Sequence, residues 1–234
     1  MSGLRLRLRR PLEDRINLFG IVPDQLRDLS LEMIAALPVA TEANEKRLSD
    51  WFDVCDGDRS ILKFEGDLSR ADYIGGGMRD GAIELTGSAG HFLAEGMRGG
   101  RIIVTGNASD YACSDMRGGS VVIEGSVGRC CAAARPAVRR GMRGGSVTIC
   151  GHAGEQLCTR MRRGVVVLHG TAEGDVAAGM IAGSLILHSH VEGFIGAGMR
   201  RGTILVLGDR APHRHAGFTA AEIVELSYRC WCVH

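Results

Sequence analysis

The stretch MRGGSVVIEG, Met116 to Gly125, decides the fold, because the chain restates it along most of its length. Met-Arg, a glycine two positions beyond the arginine, a five-residue β-type run and a closing glycine recur from Met78, Met97, Met142, Met161 and Met199. Met180 opens a worn copy, with Ile181 in the arginine's place and Ser189 in that of the closing glycine. The starts lie 19 residues apart, except for a step of 26 between Met116 and Met142. A fixed period of this size is the mark of a solenoid coil. Within each run the second and fourth residues are apolar, as in Ile102 and Val104, Val121 and Ile123, or Val166 and Leu168. Alternation at period two in β-branched residues predicts a strand with one face inward.

The glycines flanking each run, such as Gly100 and Gly106 or Gly119 and Gly125, are expected at corners, where a positive φ costs glycine little. Equivalent strands then stack in parallel, about 4.8 Å apart. With Ile61 to Gly66 as an opening coil, about eight coils make a rod roughly 38 Å long. The expected fold is all-β: a right-handed parallel β-helix over residues 56–209, preceded by a small α/β cap, 1–55, and followed by a capping tail, 210–234.

In the cap, LRLRLR alternates as a strand would, and Pro23 to Pro38 carries Leu26, Leu29, Met33, Ile34 and Leu37 at helical spacings. Ser30 is expected as a helix N-cap and Pro38 as a stop. Such a cap protects the open edge of the first coil. The seven extra residues lie in GRCCAAARPAVRRG, Gly128 to Gly141, and bulge from one face. In the tail, Thr219 to Leu226 is expected as a short helix.

The net charge of +1 argues against a nucleic-acid binder. No apolar stretch reaches membrane-span length, and LRLRLRR is no signal-peptide core, so the expectation is a soluble, cytoplasmic protein. Its eight cysteines are then reduced thiols, with Cys113 and Cys158, at one repeat offset, small and buried.

Two repeated features are candidate binding surfaces. Arg79, Arg98, Arg117, Arg143, Arg162 and Arg200 are expected to form a ladder along one corner, thickened by Arg163 and Arg201. Like charges at strand spacing repel, so anions or carboxylates should sit against them, whether a partner's or neighbours such as Asp80 and Glu95. The outward middle residues of the strands, Ile103, Val122, Val167, Ile186 and Leu205, are apolar, with only Glu84 and Thr148 polar. A strand apolar on both faces is normally covered on both, here by the cap or by another protein of the same assembly.

No catalytic constellation is evident. His188 and His190, His213 and His215, and Cys230, Cys232 and His234 have ligand chemistry but lack the spacing of a structural zinc site, and Cys130 and Cys131 are adjacent, so no metal is expected. The glycines are periodic corners rather than a phosphate-binding turn.

The Met-Arg-x-Gly coils, the insert ARPAVRRGMRGG (Ala134 to Gly145) and the leader with LSLEMIAALP and LSDWFDV resemble the C subunit of formylmethanofuran dehydrogenase, over about residues 26 to 208. Relatives of that subunit occur in the bacterial formyltransferase/hydrolase complex, and the repeat alone is shared with the glycine-rich domain of glutamate synthase. The resemblance implies a non-catalytic β-helix in a one-carbon complex. Its partners, a formyltransferase and a metal-dependent formyl hydrolase, take a formyl group from formyltetrahydromethanopterin through a methanofuran-type carrier to formate. It also implies that the arginines face an acidic partner or the carrier's polyglutamate chain. The archaeal-type dehydrogenase and an amidotransferase β-helix are the alternatives. Departures from the pattern stand at Asp115 and Arg160, and at Ala94, Cys113, Cys158 and Ala177, where glycine is common.

Overall fold

The computed structural model describes residues 3–41 and 44–208, and the backbone of 213–214. Each repeat supplies one strand to a single large sheet. Asp58–Glu65, Ala82–Thr86, Arg101–Val104, Arg117–Ile123, Arg143–Ile149, Arg163–Leu168, Ser184–Leu187 and Thr203–Val206 follow one another in chain order, all parallel. The register keeps the repeat: Ile102 pairs with Val121, Val121 with Val147, Val147 with Val166, and so on to Ile204. The expected inward residues are buried from the first coil to Leu187, Ile204 and Val206 of the last coil are half-buried, and beneath them the six methionines from Met78 to Met180 are fully buried. The architecture is mostly β and β-helix-like.

Two further ladders complete each turn of chain. Leu68, Ala89, Ala108, Val127, Ala153, Ala172 and Val191 form single parallel bridges, each to the next coil. The third side is an unusual turn. Tyr73, Phe92, Tyr111, Cys130 and Gln156 have φ near +60°, and Gly75, Ala94, Cys113, Ala132, Cys158 and Ala177, two residues further on, share that conformation. Asp115 and Arg160 repeat it at the third alternate position, in line with Gly77, Gly96, Gly179 and Gly198. The N–H groups of every second residue, those with positive φ, turn to opposite coils in alternation: Phe92 donates to Asp110 O ahead (3.0 Å), Ala94 to Ile74 O behind (2.8 Å), Gly96 to Ser114 O ahead (3.0 Å). Backbone pairing compensates the strain that non-glycine residues suffer here.

The corner glycines divide into two kinds. Those opening the strands have positive φ, from 83° at Gly100 to 116° at Gly202. Among the closing ones Gly87 also does, whereas at Gly106, Gly125, Gly151 and Gly170 a Cβ would lie only 2.3–2.6 Å from the carbonyl oxygen of the closing glycine one coil back. Close stacking of backbones, and not the bend, requires glycine there.

At the N-terminal end, Gly3–Leu8 is the expected strand and pairs with Asp58–Glu65 and Phe52–Cys55, so the first coil's edge is covered. The helical segment departs from expectation. It is two short helices, Pro23–Leu26 and Leu31–Ala35, with Ser30 Oγ accepting from Met33 N (3.2 Å) at the second. Pro38 starts a strand, Pro38–Thr41. In the tail, His213–Arg214 pairs in parallel with Phe194–Ile195. The helix expected at Thr219 to Leu226, and His215, Cys230, Cys232 and His234, lie outside the described residues.

Candidate functional site

The arginines after the repeated methionines do form a backbone ladder. Arg98 N donates to Met78 O, Arg117 to Met97, Arg143 to Met116, Arg162 to Met142, Ile181 to Met161 and Arg200 to Met180, at 2.7–2.8 Å. The side chains have different surroundings along it. Arg79 and Arg98 are exposed. Arg117 pairs with Asp115 at 3.0 Å, and Arg143 with the other oxygen of the same carboxylate. Asp80 and Glu95 are engaged elsewhere: Asp80 pairs with Arg27 (2.9 Å), whose guanidinium holds that carboxyl below its usual range. Glu95 pairs with Arg135 of the insert (2.7 Å). Glu95 is nearly buried, and desolvation pushes its carboxyl up despite Arg135.

Further along, the ladder opens into a cleft of about 640 Å³ lined by Arg139, Arg140, Arg160, Arg162, Gly179, Ile181, Gly198 and Arg200. Three elements build it. The insert brings Arg139 and Arg140 to its wall, anchored where Gly141 N donates to Arg160 O (3.0 Å). The third-side turn supplies Arg160 and then two glycines, and the corner ladder supplies Arg162, Ile181 and Arg200. Ile181 leaves a gap where an arginine would fill the groove. Among the described residues no acidic side chain pairs with any of these five arginines. The repeat pattern does not single out Arg139, Arg140 or Arg160 for a site. The usable signal is Arg160 at a glycine position, together with two arginines in the insert.

The outward stripe is in register: Ile103 pairs with Val122, Val122 with Thr148, Thr148 with Val167, Val167 with Ile186, and Ile186 with Leu205. All five apolar members are half-buried. On the third side, Tyr73, Phe92 and Tyr111 stack at 4.8 and 5.3 Å, with Phe19 edge-on to Tyr73. Their 19-residue spacing is a signal in the sequence that the strand pattern overshadows.

His188 stacks on His169 at 4.5 Å, while His190 approaches Ser189. Among the described residues no group of three His, Cys, Asp or Glu side chains is placed to hold a metal ion. Cys113, Cys131 and Cys158 are buried together; hydrogen bonding to Cys131 and burial push the Cys113 thiol well up, and burial does so for Cys158. Among the described residues no helix is long and apolar enough to cross a membrane.

Comparison with known proteins adds to this geometry. Residues 31–227 match the family model described as GXGXG motif. The C subunit of the formyltransferase/hydrolase complex Fhc of Methylorubrum extorquens is 37% identical over 89 residues, 38% of this chain and 33% of that protein. The C subunit of molybdenum-containing formylmethanofuran dehydrogenase 1 of Methanothermobacter thermautotrophicus is 37% identical over 73 residues, 30% of this chain and 18% of that one. The matches thus span at most a third of these curated relatives. A chain in the crystal structure of the M. extorquens complex FhcABCD with methylofuran superposes with a TM-score of 0.85 at 33% identity, covering 91% of this chain and 79% of its own. With the repeat matched over most of its length, the chain belongs to the GXGXG motif family.

Proposed function

We propose that this chain is the non-catalytic structural and assembly subunit of a cytoplasmic formyltransferase/hydrolase complex. Its partners are a formyltransferase and a metal-dependent formyl hydrolase. Together they convert formyltetrahydromethanopterin to formate through a methanofuran-type carrier, which belongs to the complex as a whole. One observation carries the reading: the superposition on the FhcABCD chain over 91% of this chain at 33% identity. The curated dehydrogenase match is shorter, at 73 residues, which favours the hydrolase-type host.

In this role the β-helix is right-handed, with about eight coils, and serves as a rigid rod. The half-buried stripe of Ile103, Val122, Val167, Ile186 and Leu205 lies against a partner protein, and the ridge Arg79, Arg98, Arg117, Arg143, Arg162 and Arg200 forms a second contact. The apolar stripe contributes desolvation on association, while the ridge sets orientation and encounter rate. No acid–base pair within this chain is assigned a chemical step, so the chemistry is placed on the partners.

The test is to tag the chain in its native host, purify it gently, weigh the intact assembly by native mass spectrometry and assay formate release from formyltetrahydromethanopterin. The expected result is a stoichiometric assembly with both partners that releases formate, and an inactive isolated chain. Recovery as an uncomplexed monomer, or formate release by the chain alone, overturns the proposal.

A further inference from the structure

We infer that the five-arginine cleft is the seat of an extended acidic peptide segment belonging to a partner protein of the complex, an inference that rests on the assembly reading above. Three observations converge on it. The cleft concentrates Arg139, Arg140, Arg160, Arg162 and Arg200, none of which has an acidic partner among the described residues. Its floor is shaped to admit a chain: Gly179 and Gly198 carry no side chain, a Cβ at Gly198 would meet nothing within 4 Å, and Ile181 is apolar. Finally, Arg160 holds φ +55° at a position where Gly77, Gly96, Gly179 and Gly198 take the same conformation freely. A bulky residue in that region costs energy that glycine avoids, and such strain persists where the side chain has a use.

The dimensions favour a peptide over a lone anion. Arg162 and Arg200 are two coils apart, with backbones about 9.6 Å from each other at strand spacing, and the cleft of about 640 Å³ with five arginines offers more room and more positive charge than one phosphate uses. In an extended peptide, carboxylates on alternate residues recur every 6.6–6.8 Å or so on one face. Such a row of carboxylates offers each guanidinium group a planar partner, which arginine recognises by paired hydrogen bonds. The chain's own tail is a poor occupant, because beyond Gly208 its acids, Asp209, Glu222 and Glu225, are matched by Arg210, Arg214 and Arg229.

The test uses the full chain and a fluorescein-labelled heptapeptide alternating Glu and Ser, followed by fluorescence anisotropy at low salt, with the Gln–Ser peptide as neutral control. Folding of every variant is checked by its thermal melt. The expected result is saturable binding of the acidic peptide only, weakened at least tenfold in Arg162→Glu/Arg200→Glu. Ile181→Glu, which removes no arginine but places a carboxylate in the groove, is expected to weaken it as much. Arg160→Gly should lower affinity while raising the unfolding midpoint, because it relieves the strained backbone. Equal binding of both peptides, unchanged affinity in the folded variants, or full displacement by inorganic phosphate at matched ionic strength overturns the inference. Recovery of the Ile181→Glu chain with its partners separates the two proposals: an intact complex without peptide binding sinks this inference alone, whereas no complex from the wild-type chain sinks the assembly reading.

Discussion

Replacing Gly106 by Ala and, separately, Gly96 by Ala tests whether coil stacking is what fixes the repeat. At Gly106 the backbone angle is permissive, but a Cβ would stand 2.5 Å from Gly87 O and 2.6 Å from Gly87 C. That carbonyl also accepts the Gly106 N–H at 2.9 Å. A carbon–oxygen contact needs about 3.3 Å, so the coils must part by roughly 0.8 Å and the hydrogen bond is strained with them. Overpacking costs about 1–3 kcal/mol and a lost hydrogen bond about 1 more, so Gly106→Ala should lose about 2–4 kcal/mol. Gly96 presents the opposite case: its φ is +64° and its added Cβ meets nothing within 4 Å. There the left-handed penalty of about 1–2 kcal/mol is offset by about 0.4–1 from a stiffer unfolded chain. Ala94 and Ala177 already hold φ +57° in the same turn, so Gly96→Ala should lose about 1 kcal/mol or less. Urea unfolding followed by circular dichroism compares them. A Gly106→Ala midpoint no lower than that of Gly96→Ala refutes the stacking argument, and with it the reason given for Gly106, Gly125, Gly151 and Gly170.

Two further outcomes follow from buried titratable groups. Desolvation raises the Glu95 carboxyl above its ordinary 4.5, so the folded state binds that proton more tightly than the unfolded one. Its contribution to stability is present below the ordinary value and lost as pH rises through the raised one. Unfolding midpoints of Glu95→Gln should therefore gain on the wild type as pH climbs from 4.5, and parallel profiles would contradict this. Among the described thiols, iodoacetamide should label exposed Cys55 and Cys150 in the native chain, and Cys113 and Cys158 only after denaturation. Peptide mass spectrometry reads this, and native labelling of Cys158 at the rate of Cys150 would refute it.

The strand face is legible because every coil solves one packing problem with one pattern: apolar residues inward, methionine below, glycine at the corner. The third side is not, because Tyr73, Phe92 and Tyr111 look like ordinary aromatic residues, and only pairing between coils explains their positive φ. The leader hides its break for a related reason. Apolar spacing runs continuously from Leu26 to Leu37, but the chain turns between Leu26 and Leu31, where Arg59 Nε donates to Leu29 O (3.1 Å) and ties the turn to the first coil. The cleft is least legible, since the insert carries Arg139 and Arg140 to a groove that Arg160, Arg162 and Arg200 complete from later coils.

What the ridge does with its own repulsion joins these observations. Unit charges 4.8 Å apart repel by about 1 kcal/mol in water and several times more near a protein surface, so six arginines in unbroken register would be self-limiting. The chain relieves them unevenly. Asp115, with φ +53°, takes up Arg117 and Arg143 together. At the equivalent position two coils on, Arg160 makes the same backbone compromise with the opposite charge. Ile181 then doubles the Arg162–Arg200 separation to about 9.6 Å, close to the screening length of 8–10 Å or so at ordinary ionic strength. One strained position is thus used twice, once to neutralise the ridge and once to concentrate it beside a gap. Self-repulsion alone would favour an acid at both. Arg160 has no acidic partner among the described residues, and the counter-charge inferred above for the cleft gives it one, which is why its replacement by glycine should separate stability from binding.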